Sequence, residues 1–284
     1  MKITFLGTSA ANAYPEAFCS CENCEKARKL RGPDLRKRSS ILINNDLLVD
    51  VGPDIMSASH MHDIDLRNVR YCLQTHPHAD HLDLTHLLSR SPEYGTQGTP
   101  ILNFYASQET LIAADTTFTR DLADFSLLSP EAEARLRLKI HPIGSYQPYH
   151  FGPYKIIAFQ ANHQPDPGSF LYSIEEDSRS LFYATDTAPF HPETWKYFTH
   201  FGLHFDIMIF DHTYGPVQDA SNHLSAQLVI EYVQRARRES ILKPSGRALG
   251  THISHEGNPT HSELSEFASN NGYEIAYDGL TVEI

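Results

Sequence analysis

Between Thr75 and His81 the chain reads Thr-His-Pro-His-Ala-Asp-His, three imidazoles and a carboxylate in close succession. Each brings polar atoms that a folded protein must satisfy, so packing alone does not account for the run. Imidazole nitrogens and carboxylate oxygens are donors for borderline divalent cations such as zinc, manganese, iron or cobalt. An extended backbone points His76 and His78 the same way, and a following helical turn brings Asp80 and His81 back beside them. One short segment can then serve two neighbouring ions. Further donors stand singly at His163, Asp186, Asp211 and His252, each after an apolar run.

A second group differs in chemistry. Cys19-Ser20-Cys21-Glu22-Asn23-Cys24 gathers most of the few cysteines into one short stretch. In a long chain whose N-terminal apolar run is too short for a signal peptide, this suits a structural metal better than a disulfide framework. Such a site wants a fourth ligand. Thr251-His252-Ile253-Ser254-His255 offers one in His255, close after His252.

Strands must carry these donors. Residues 2–6 and 41–50 read as strands, with a hairpin turn at Asn44-Asn45-Asp46. Asp50 closes the second run and reads as support for the site. Residues 68–74 form a strand that delivers the His cluster at its C-terminal end. Leu82, Leu84, Leu87 and Leu88 recur at helical spacing, which puts Asp80 and His81 near a helix start. Strands are also expected at 154–159, 169–174, 180–184, 206–210 and 247–250, and a helix at 225–237. The recurrent β run that stops at a His or Asp is how α/β scaffolds present functional groups. Residues 273–284 read as a hairpin about Asp278-Gly279. The segment 91–149 shows a loop at 94–100, a helix at 108–114 and a short helix or exposed strand at 130–139. It is expected to cover the substrate. No linker or repeat divides the chain, so residues 1–284 are expected to form a single domain.

The 284 residues are 40% hydrophobic and 20% charged, an ordinary globular composition. With 23 basic against 35 acidic residues the net charge is −12, which argues against a large nucleic acid as partner. A small anion stays compatible, because bound cations invert the local field. No window approaches the ~20 apolar residues that span a bilayer. A cytoplasmic protein with no membrane partner is expected, and a homodimer is left open.

The order Thr-His-x-His-x-Asp-His, lone His, lone Asp, lone His resembles the metallo-β-lactamase superfamily. That resemblance implies an α/β fold, an αββα sandwich of two mixed β-sheets flanked by helices, with the metals at one edge. It implies that His76, His78 and His163 hold one ion, that Asp80, His81 and His252 hold the other, and that Asp186 bridges them. Redox members of the family carry Glu where this chain has His78, so hydrolysis is expected, by a hydroxide shared between two metals.

Cys-x-Cys-x-x-Cys together with Thr-His-Ile-Ser-His resembles the PhnP-type phosphodiesterases, which hydrolyse phosphoribosyl cyclic phosphate in phosphonate breakdown. The resemblance implies a structural zinc on Cys19, Cys21, Cys24 and His255. Phe210-Asp211-His212-Thr213-Tyr214 and Asn222-His223-Leu224-Ser225 resemble paired motifs of tRNase Z and PhnP-type enzymes. There a His protonates the leaving oxygen and an acid assists it. By position these are His223 and Asp211, with His212 a competing acid, and Asp80 joins them as a catalytic residue. The cofactors so implied are two divalent metals, zinc or manganese, beside the structural zinc, and the partner is a small, cyclic phosphodiester substrate. A tRNase Z-like nuclease or a lactone hydrolase are the alternatives among enzymes, and a cofactor-biosynthesis accessory or carrier protein the alternative outside them.

Overall fold

The apolar runs pair into two seven-stranded sheets in a computed structural model that describes residues 1–163, 168–217 and 221–284. The first sheet contains β1 (Lys2–Gly7), β2 (Ser40–Ile43), β3 (Leu47–Val49), β4 (Tyr71–Leu73), β5 (Leu102–Ala106) and β6 (Leu138–Pro142). The second contains β7 (Pro148–Phe151), β8 (Tyr154–Gln160), β9 (Phe170–Glu176), β10 (Arg179–Ala184), β11 (Phe205–Asp211), β12 (Leu242–Thr251) and β13 (Glu274–Ile275). The last strand, β14 (Thr281–Glu283), returns to the first sheet beside β1. In each sheet one half is antiparallel and the other parallel, so both are mixed.

Strand β11 explains the layering. All its residues are buried. Ile207 and Ile209 turn to the layer between the sheets, where they join Ile3, Phe5, Val49, Tyr172 and Leu249. Met208 and Phe210 turn the other way. They meet α6 (Pro192–His200), α7 (Ala226–Arg238) and α8 (His261–Asn270) through Trp195, Phe198, Val229, Val233 and Leu264. The first sheet's outer face, with Leu48, Cys72 and Phe104, is covered by α2 (Ile55–His62), α4 (Gln108–Asp121) and α5 (Pro130–Leu136). A strand buried on both faces reads as a continuous apolar run, and helices on both outer faces complete the αββα sandwich. Among the described residues no helix is long and apolar enough to cross a membrane.

Three expectations need correction. The C-terminal hairpin does not form. Strand β13 pairs parallel to β12 in the second sheet, whereas β14 pairs antiparallel to β1 in the first. Asp278-Gly279 turns the chain between sheets, and Gly279 is required there by its φ of 86°. Secondly, residues 91–149 are largely scaffold: β5 and β6 extend the first sheet in parallel, and Phe104, Phe118 and Leu136 are fully buried. Only the end of α4 reaches a cavity near the His cluster. Thirdly, Asp80 and His81 lie near a helix start as expected, but in a separate turn before it. The amides of His81 and Leu82 both donate to His78 O, and the helix α3 (Leu84–Leu88) begins after Asp83, whose carboxylate caps it through Thr85 N.

Candidate functional site

The donors converge because strand ends of both sheets meet at one edge. β4 leads into His76, His78, Asp80 and His81, β8 into His163, β10 into Asp186, β11 into Asp211 and β12 into His252. Two groups result, Asp186 belonging to each. His76, His78, His163 and Asp186 have donor atoms within 4.8 Å of one another, as do Asp80, His81, Asp186 and His252. His76 Nε2 lies 3.0 Å from His78 Nδ1 and 3.2 Å from Asp186 Oδ2. His81 Nε2 lies 3.3 Å from Asp186 Oδ2 and 3.2 Å from Asp80 Oδ2.

The opposite edges of these rings are already engaged. His81 Nδ1 donates to Asp50 Oδ2 at 2.7 Å, Thr213 Oγ1 meets His252 Nδ1 at 2.8 Å, and Thr75 Oγ1 meets His76 Nδ1 at 2.9 Å. With Nδ1 turned to Asp50, His81 presents its Nε2 edge to His252 Nε2 at 3.3 Å. Two imidazole nitrogens pointed at each other beside two carboxylates suit a cation between them. Asp186 Oδ1 is buried with no hydrogen bond, a further sign of the same fit. The donor set, imidazole and carboxylate without thiolate, matches divalent metals.

Electrostatics agree. Burial lowers the pKa of His76 and brings that of His163 down to about 4, which keeps both neutral as a ligand requires. Burial also opposes charge on His81, but Asp80 and Asp50 outweigh it and raise its pKa. Burial alone would raise the carboxyls of Asp80 and Asp186, yet their His neighbours hold both below the ordinary range. The local field therefore favours positive charge among these carboxylates.

Beside Asp186 stands the pair His223 and Asp211. His223 Nδ1 is 3.0 Å from Asp211 Oδ2 and 3.3 Å from Asp186 Oδ1. Burial works against its charge, but Asp211 and then Asp186 raise its pKa to about 9. His223, Tyr214, Asn222, His78 and His252 line a cavity of about 360 Å³ over the cluster. His212 is placed elsewhere: it is buried between Asn258 Oδ1 and Tyr273 Oη at 2.9 and 2.8 Å, and burial lowers its pKa to about 4.

The cysteine group also assembles. Cys19, Cys21, Cys24 and His255 bring their donor atoms within 4.8 Å of one another, where the loop before α1 (Glu22–Leu30) meets the loop after β12. His255 Nδ1 is 3.5 Å from Cys21 Sγ and 3.8 Å from Cys19 Sγ. Burial opposes a Cys21 thiolate, yet the Cys24 amide and His255 lower its pKa to about 7. Burial raises Cys24 to about 12.

Sequence reasoning overlooked the residues that aim these donors. Gln74 is fully buried, and its Nε2 reaches Asp50 Oδ1, His76 O and His81 O at 2.9–3.0 Å. Thr213 holds His252, and its own amide donates to Asp211 Oδ1 at 2.9 Å. Asp50, Asp186 and His252 have φ of 66°, 54° and 59°. Each such residue costs ~1–3 kcal/mol, which the surrounding bonds must over-determine. The only signal in the sequence was adjacency to a donor.

Solved structures share this architecture. A diphosphatase of the PhnP family is 21% identical with a TM-score of 0.74, the match covering 100% of this chain and 97% of that one. Zinc-bound PqqB from Methylobacterium extorquens is 17% identical with a TM-score of 0.69, covering 100% of both chains. The short form of human tRNase Z is 18% identical with a TM-score of 0.64, covering 100% of this chain and 99% of that one. Likeness at these identities speaks to the fold. No curated protein matches the sequence. A model of the beta-lactamase superfamily domain matches residues 45–253, the span that holds every His and Asp donor of the cluster. The chain therefore belongs to the beta-lactamase superfamily, and its converging His and Asp donors make it a metal-dependent hydrolase of that fold.

Proposed function

We propose that this hydrolase is a phosphodiesterase acting on a small, cyclic phosphodiester such as phosphoribosyl 1,2-cyclic phosphate. The observation that carries the reading is His223, paired with Asp211 at 3.0 Å on the wall of the cavity over the His/Asp cluster. His76, His78, His163 and Asp186 would hold one divalent ion, and Asp80, His81, His252 and Asp186 the other, zinc and manganese both suiting the donors. Bound there, the two ions would generate a nucleophile from water at neutral pH and neutralise charge on the phosphoryl oxygens. Asp211 keeps the His223 imidazole protonated and oriented, and His223 hands that proton to the departing alkoxide. Asp80 fixes one side of the second ion's place, with its Oδ2 3.2 Å from His81 Nε2. Cys19, Cys21, Cys24 and His255 would take a structural zinc.

Solved relatives support phosphoester chemistry, since a PhnP-family diphosphatase and human tRNase Z share the fold. Between these, the net charge of −12 favours a small substrate over tRNA. The test is to load the protein with metal and assay a bis-aryl phosphate, phosphoribosyl cyclic phosphate, cyclic nucleotides, a lactone and a β-lactam. Lactone turnover without phosphodiester turnover would overturn the reading. His223→Ala should lower phosphodiester turnover by ~10²–10⁴-fold with metal content retained. Asp186, Asp211, His223 and His252 also lie within 4.8 Å of one another. Loss of metal from that variant would therefore make His223 a ligand instead of the acid.

A further inference from the structure

A second and larger cavity, about 570 Å³, adjoins the first. Ala11 and Asp80 line both, so the two are compartments of one cleft that meet at the edge of the His/Asp cluster. His223, Tyr214 and Asn222 belong to the first compartment alone. The second is walled by Pro53, Leu82, Leu84 and Leu122, with Thr117 from α4 beside them. Its volume is that of a site for a drug-sized molecule.

We infer that the second compartment seats the substituent of the phosphodiester that stays on phosphorus, and that this substituent is an uncharged planar ring such as an aryl group or nucleobase. The inference rests on the phosphodiesterase reading but names a different substrate within it: in phosphoribosyl 1,2-cyclic phosphate both ester oxygens belong to one sugar that bears a second phosphate, whereas this compartment calls for a diester with two separate ester groups. With phosphorus at the cluster, the leaving oxygen belongs on the side of His223, which leaves the compartment beyond Asp80 for the other ester group. Its wall is mostly carbon, which stabilises an apolar face by burial and offers few partners to a bare sugar's hydroxyls.

Charge at the rim points the same way. Arg38 already donates from Nη1 to Asp54 Oδ2 at 3.0 Å and from Nε to Ala11 O at 3.2 Å. The acidic side chains lining the compartment are Asp80, at the edge shared with the cluster, Asp83 and Asp121. Asp83 caps α3, and Asp121 pairs with Arg120. A second phosphate would meet carboxylates and no unopposed cation, so a neutral ring is the better occupant.

Three diesters with one leaving group, p-nitrophenolate, isolate the effect: the methyl, phenyl and thymidine 5′ esters of p-nitrophenyl phosphate. The metal-loaded protein should favour the two ring-bearing esters over the methyl ester by about tenfold or more in kcat/KM. Calorimetry with phenylphosphonate against methylphosphonate reads the same preference without turnover. Thr117→Trp, which fills the compartment, and Leu122→Glu, which charges it, should each bring both ratios to near one. Equal kcat/KM together with equal affinity in the unaltered protein would overturn the inference. So would a ring preference that both variants leave intact, because the ring would then sit elsewhere. Hydrolysis of none of the esters, with the phosphonate preference present and abolished by the variants, would instead defeat the phosphodiesterase reading and leave the ring site standing.

Discussion

The His/Asp cluster and the cysteine cluster both gather donors from distant parts of the chain, but they are held in opposite ways. In the first, the donors follow strand ends, and three of the rings are locked from behind, His81 by Asp50, His252 by Thr213 and His76 by Thr75. His76, His81 and His252 are at most 1% exposed. In the second, Cys19 and Cys21 are half-buried on a loop, and His255 arrives from a segment more than 230 residues later. Its support is slight: Asn23 Nδ2 donates to His255 O, and Cys21 caps α1. The first set of donors is built by the sheets and stands ready for ions. The second joins two loops, so the ion it would take is itself a tie between them.

Asp186→Asn tests that contrast where the effect should be largest. Asp186 Oδ2 is the carboxylate oxygen nearest His76, His81 and His252 together, and an amide there would lose charge and turn N–H donors toward bare nitrogens. Turnover should fall below detection, and elemental analysis should find the cluster's metals gone while zinc on the cysteines stays. Loss of that zinc as well would show that the two regions are not independent.

Cys21→Ser should do the reverse. Zinc content falls, and with it stability, by about 4 kcal/mol where zinc stands about a thousandfold above its Kd. Activity falls too, though less, because the loop after β12 has other ties. Ile253 N donates to Thr8 O at 2.8 Å, and Ala10 N and Ser9 Oγ reach Ile253 O at 3.2 and 3.0 Å. These bonds hold His252 from the N-terminal side without a metal. Metal analysis, a melting curve and a turnover assay on one preparation check it, and unchanged zinc and turnover would remove the cysteine site from the account.

The same contrast explains what could be read from the sequence. Ligand atoms must be His, Asp or Cys, and a charged or imidazole side chain after an apolar strand has few other reasons to be there. His163, Asp186 and His252 were visible for that reason. Gln74 and Thr213 were not, because an amide or hydroxyl is ordinary in any loop and its partner is chosen by tertiary approach. Short strands failed similarly. Thr281–Glu283 and Glu274–Ile275 flank a turn whose residues look the same whether the chain folds back on itself or crosses to another sheet. In 91–149 the start of α4 was legible as the helix at 108–114, but the apolar residues that build β5 are recognisable only once the first sheet is there to receive them.

Asp278 offers the finest test, since it braces the N-terminal side of the His252 loop. Its carboxylate accepts from Thr8 Oγ1 at 2.8 Å and from Lys37 N at 2.7 Å, and Thr8 O in turn receives Ile253 N. Arg36, fully buried, donates from Nη1 to Thr8 Oγ1 at 2.8 Å. Burial of Asp278 outweighs these partners and raises its pKa to about 6. A carboxyl raised on folding binds its proton more tightly in the native state. Its contribution to stability is thus fully present below the unfolded value near 4 and is lost as pH rises through about 6. The loss amounts to about 3 kcal/mol, at roughly 1.4 kcal/mol per pKa unit. Asp278→Asn mimics the protonated form and does not titrate. The stability of the variant relative to the native chain should be flat below pH 4, rise in the variant's favour between pH 4 and 6, and level off above. Denaturant midpoints at a series of pH values measure it, and a difference that ignores pH would show that the brace is ionised at no energetic cost.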